Sequence, residues 1–163
     1  MPETLDKKIR NKQRDIILTI DPQAKVYAFD TLSLNPEEWA GLFRIKYADQ
    51  ERFHGWVIKR TGIASKELRG GIFADIYTYD IWGFHGFWGT KESDNSDDIF
   101  QKILDDILEE FKKKMTLDLD CVKEHKLPQF PEITVFPSGK QPLHFAKGKI
   151  DVHLCERAAG ATC

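Results

Sequence analysis

The longest regular pattern in the chain runs over residues 96–115, where Ile99, Phe100, Ile103, Leu104, Ile107, Leu108, Phe111 and Met115 recur at intervals of three and four. That spacing predicts an amphipathic helix. Asp97 and Asp98 in its first turn and Lys112, Lys113 and Lys114 in its last complement the helix dipole. A second helical pattern, residues 4–20, sets Leu5, Ile9, Ile16, Ile17 and Ile20 near one face, with Thr4 as N-cap and Asp21-Pro22 as a stop. The β-branched run from Ile16 to Ile20 leaves a terminal strand as the alternative. Asn35-Pro36-Glu37-Glu38 reads as the cap and first turn of a short helix.

Elsewhere the period falls to two. A strand is expected at residues 26–32. Residues 42–48 and 53–60 form two alternating runs around Asp49-Gln50-Glu51-Arg52, a hairpin whose register sets Tyr47 opposite His54, Ile45 opposite Trp56 and Phe43 opposite Ile58. Gly70-Gly71 opens a third strand, residues 72–82. One of its faces carries Ile72, Ala74, Ile76 and Thr78, and the other carries Phe73, Asp75, Tyr77 and Tyr79. Beyond the long helix, strands are expected at 117–122 and 133–136, with a final hairpin of 143–146 and 149–154 around Lys147-Gly148. The elements predict one α+β domain over residues 1–156 and a frayed tail over 157–163. Its sheet is a mainly antiparallel meander, with the 96–115 helix on one face and shorter helices near the N-terminus.

Composition narrows the function classes. The 163 residues carry 24 Lys and Arg against 26 Asp and Glu, a balance that gives no general attraction to nucleic acid or anionic membranes. The basic run Lys7, Lys8, Arg10, Lys12 and Arg14 reads as the solvated face of the first helix. The first residues lack the apolar core of a signal peptide, and no apolar run approaches the ~20 residues that span a bilayer. Three dispersed cysteines match reduced thiols in a cytoplasm.

The glycines at 83, 86 and 89 have neither dinucleotide-binding nor Walker spacing, and Glu92, Asp94, Asp97 and Asp98 would repel a phosphate at that helix start. Asp94-Asn95-Ser96-Asp97-Asp98 fails the EF-hand pattern, and no cofactor is expected. Two Phe-His-Gly copies, at 53–55 and 84–86, have unlike neighbourhoods and read as coincidence. The densest feature is aromatic: seven of the sixteen residues from Phe73 to Trp88 are Phe, Tyr or Trp. If Ile72, Ala74 and Ile76 face the long helix, then Phe73, Asp75, Tyr77 and Tyr79, with Trp82, His85 and Trp88, present aromatic rings and a carboxylate outward. Such a surface suits a small cationic or aromatic ligand, a protein partner, or a second copy of the chain. The function expected is therefore a non-catalytic binding module. The alternative is a metal-dependent hydrolase or nuclease built on His54 and His85 with Asp75 and Asp80.

Overall fold

The computed structural model describes residues 2–29, 42–47, 50–86, 96–138 and 141–161. Two helices and a mixed eight-stranded sheet make an α+β fold: α1 (Leu5–Ile20), β1 (Lys25–Phe29), β2 (Arg44–Tyr47), β3 (Gln50–Arg69), β4 (Ile72–Gly86), α2 (Ser96–Lys113), β5 (Val122–His125), β6 (Gln129–Ser138), β7 (Gln141–Leu154) and β8 (Arg157–Ala158). The helix expected at Asn35–Glu38 lies outside the described residues. No described helix is long and apolar enough to cross a membrane.

Both long helices form where the apolar stripes place them. Thr4 caps α1 by accepting from the Lys7 N–H at 3.3 Å, and the Asp21 N–H closes its last turn on Ile17 O. Ile9, Ile16 and Ile17 of α1 and Phe100, Leu104, Ile107 and Phe111 of α2 are buried together against the sheet. His125 finishes α2: with the proton on Nε2 it donates to the carbonyls of Phe111 and Lys114, at 3.0 and 3.1 Å.

The sheet departs from a simple antiparallel meander. Its main path runs β1-β3-β4-β7-β5, and β1 lies parallel to β3. The first hairpin slides by four residues, so that Ile45 stands opposite Arg52 and Arg44 opposite Phe53, and Phe43, expected on the Trp56 and Ile58 face, packs with Val57 on the other. The strand expected at 117–122 is replaced by turns, with Leu117 and Asp118 both at φ 53, and β5 begins only at Val122. The expected final hairpin is one continuous strand, β7. Gly148 is there because a Cβ would fall 2.6 Å from the Phe130 ring, and not to make a turn. Arg157 and Ala158, expected in the frayed tail, pair with Phe73 and Ile72 as β8.

The facing of β4 is the reverse of the expected one. Tyr79 and Ile81 point into the helix-covered core with Trp56, Ile58, Ala146 and Ile150, and Tyr79 is fully buried. Gly83 sits beneath the Trp56 indole, where a Cβ would meet the ring at 2.5 Å. Phe84 and Trp82 lie on the opposite face, in a second apolar layer with Phe43, Val57, Leu143, Tyr27, Phe53 and Phe145. Both faces of the central strands are therefore packed.

Asp6 joins the first helix to this sheet. Its carboxylate accepts from Arg10 at 2.9 and 3.1 Å and from the Tyr79 hydroxyl at 3.0 Å, and Arg60 stands 3.5 Å away. Burial, and then the neighbouring Asp6 charge, push the Tyr79 phenol far above its ordinary pKa, so it remains a donor. Arg10 continues to the Ala28 carbonyl at 2.8 Å and ties α1 to β1. Replacing Asp6 with Ala strands a buried guanidinium and should cost about 3–5 kcal/mol in urea unfolding. Tyr79→Phe, which removes one hydrogen bond, should cost about 1–2 kcal/mol.

Candidate functional site

The β3–β4 register sets His54 directly opposite His85, and the β4–β7 register sets His85 opposite His144. Three imidazoles thus form one row across three strands, on the helix-covered face. The two Phe-His-Gly copies, read from sequence as coincidence, face each other. His54 Nε2 lies 2.7 Å from Asp21 Oδ1, the Trp56 indole N–H donates to Asp21 Oδ2 at 3.1 Å, and the Nδ1 atoms of His54 and His85 are 2.9 Å apart. Because the Asp21 carboxylate can only accept, His54 carries a proton on Nε2, and one further proton lies between the two Nδ1 atoms. His85 stacks on Phe100, and Phe100 stacks on His144. At the far end His144 Nε2 lies 2.9 Å from Ser96 Oγ, while His144 Nδ1 lies 3.6 Å from Asp97 Oδ1.

This row is built like a proton relay but is walled in. His54, His85 and His144 are 3%, 0% and 4% exposed, and Ser96 is 2% exposed. The Ser96–His144–Asp97 order matches a nucleophile, base and carboxylate, yet a substrate carbonyl cannot reach a hydroxyl at that depth. As for metal, Asp21 occupies the outer nitrogen of His54, and only two nitrogens converge. Among the described residues no group of three His, Cys, Asp or Glu could hold an ion. A groove of about 140 Å³, lined by Lys12, Asp15, Ile16, Thr19, Lys114, Leu117 and Asp118, lies at the other end of α2.

The carboxylates of the hydrolase reading do not join these histidines. Asp80 is on the opposite sheet face, near Thr61 Oγ1 at 3.3 Å. Asp75 lies near the far end of β4, where it accepts from Ser65 at 2.5 Å and from Arg157 at 2.7 Å. The Ser65 hydroxyl and then the Arg157 guanidinium hold its carboxyl below the usual carboxylate range.

The expected aromatic stripe is dispersed as well. Tyr79 and His85 are core, Trp82 belongs to the second apolar layer beside Lys147, and Trp88 lies outside the described residues. Phe73, Asp75 and Tyr77 remain together, half-buried on the β3–β4 hairpin. There, among the described residues, β3 runs past β1, whose pairing ends with Phe29 opposite Lys59, and residues 61–70 are exposed apart from a half-buried Gly62. This arm is about 25 Å long and carries Ile63 at 59% and Leu68 at 42% exposure. The sequence reading missed Asp21 and Ser96 as partners of the histidines, since each stands at a helix end that only the folded chain brings to the row. It missed Ile63 and Leu68 because they fall between the strands expected at 53–60 and 72–82.

The sequence matches no protein-family model, and no curated protein matches it.

Asp21→Ala should destabilise the fold by about 2–5 kcal/mol in chemical denaturation, because two buried donors lose their acceptor. The depressed Asp75 carboxyl stabilises the folded state above its unfolded pKa, ~3.9, and that contribution is lost as pH falls through its lower folded value. Protection of the Arg157 and Ala158 amides, taken relative to their intrinsic exchange at each pH, should therefore fall below about pH 4, and Asp75→Asn should show reduced protection already at neutral pH.

Proposed function

We propose that the protein is a non-catalytic interaction module that engages a protein partner through the β3–β4 arm. The observation that carries this reading is the exposure of Ile63 and Leu68 on a hydrogen-bonded ladder that extends past the helix-covered core. Apolar side chains held out on a rigid hairpin supply contact area at little ordering cost. Bonding within the arm supplies the rigidity: Asp75 links Ser65 of β3 to Arg157 of β8, and Arg60 lies 5.3 Å from the centre of the Tyr77 ring.

These same contacts argue against a small organic cation. The carboxylate of Asp75 and the ring face of Tyr77 already hold the molecule's own guanidinium groups. A macromolecular partner needs neither of them. It would seat apolar groups on Ile63 and Leu68, with Lys66, Glu67 and Arg69 at the rim.

The test is cross-linked affinity capture with the wild-type chain and with an Ile63→Asp, Leu68→Asp double variant. Both positions are exposed, so folding stability should stay within about 0.5 kcal/mol per substitution, while the protein captured by the wild type should be lost. Capture that survives both substitutions would contradict the reading.

A further inference from the structure

The sheet has a second open edge. β6 pairs with β7 on one side and with no strand on the other among the described residues, and residues 131–135 are exposed. Its sequence is Gln129-Phe130-Pro131-Glu132-Ile133-Thr134-Val135-Phe136-Pro137-Ser138. Ile133 is 41% and Val135 50% exposed. Solitary edges are ordinarily blunted by charge, proline or a bulge at their centre. The free edge of β3 follows that rule, with Lys66 in its middle and register breaks at Arg60/Gly62 and Glu67/Arg69. On β6 the register break at Gln129/Glu132, Pro131, Glu132 and Pro137 flank a β-branched centre, Ile133 to Val135.

The backbone alternation shows which groups are free. Pro137 stands opposite Pro142. Two residues without N–H groups can only form a non-hydrogen-bonded pair. Val135 opposite His144 and Ile133 opposite Ala146 belong to the same class, so the N–H and C=O groups of Ile133 and Val135 point away from β7. The alternation predicts that His144 bonds towards β4 as a wide pair and that His54 and His85 form a narrow one. Their ring-centre distances agree, 6.2 Å for His85–His144 and 4.7 Å for His54–His85.

We infer that the outer edge of β6 pairs antiparallel with the same edge of a second copy, about a two-fold axis through Thr134. The sequence is self-complementary about that point. Thr134 meets Thr134, Ile133 meets Val135 on both sides of the axis, and Pro131 meets Pro137. The Ile133–Val135 pairs are hydrogen-bonded, and Thr–Thr and β-branched pairs are favourable cross-strand neighbours. No two like charges stand opposite each other. The prolines stop the new ladder after its central residues, and the axis uses the edge once, so the assembly closes as a dimer instead of growing. The inference is independent of the arm, which lies on another strand.

Sedimentation of the purified chain across a concentration series should show a species of twice 18.8 kDa. Thr134→Lys sets two ammonium groups opposite each other and should raise the dimer dissociation constant by about tenfold or more. Thr134→Glu should do the same, and mixing the two variants should restore a dimer that contains one of each. Ser65→Lys on the arm should leave the dimer unchanged. Thr134 is exposed, so thermal melts of both variants should match the wild type after allowance for dimer loss. A wild-type chain that stays monomeric throughout, variants that dimerise as the wild type does, or a mixture that forms no mixed dimer would each overturn the inference.

Discussion

The antiparallel ladder from His54 opposite His85 to Arg69 opposite Ile72 joins two of the longest strands in the molecule, and its register governs their surroundings. Moving β4 by one residue would turn Tyr79 and Ile81 away from the helices and bring Asp80 and Trp82 under them. The present register puts Gly83 beneath Trp56, where any side chain would collide, and the two imidazoles side by side with Asp21 behind them. It also leaves β3 longer than its neighbour β1, which is the origin of the arm.

The same fold engages several of the described groups that could carry chemistry. The histidines of the row bond with Asp21, Ser96 and one another beneath the helices, Asp6 is held by Arg10 and Tyr79, and Asp75 is held by Ser65 and Arg157. Buried polar networks of this kind, once satisfied, fix one arrangement of the core. In the proposed reading the molecule meets its partners through two surfaces: the arm that carries Ile63 and Leu68, and the outer edge of β6. Those two features support the functional reading more than any titratable group does.

The helices were legible in sequence because each buries one side only, and the period of 3.6 survives as a stripe of Phe and Ile. The facing of β4 was not, because both its sides are packed. Tyr77 and Tyr79 on one side and Trp82 and Phe84 on the other give no polar face to settle the direction. The four-residue slide of the first hairpin keeps Ile45 on the Trp56 face, so patterning could not detect it, while Phe43, just before β2, packs with Val57 on the other face. Gly148 misled as a turn residue because its purpose is a contact with Phe130, a neighbour the sequence does not reveal. The Phe-His-Gly pair was visible as a repeat, but only the β3–β4 register brings its halves together.

His54 and His85 form a buried pair inside the histidine row, shielded from solvent. The most direct measurement is a nitrogen-15 NMR spectrum of the histidine side chains, with scalar couplings read across hydrogen bonds. A coupling between the Nδ1 atoms of His54 and His85 through a single proton is expected, with His54 Nε2 protonated towards Asp21. Two uncoupled rings whose N–H protons exchange freely with water would contradict it.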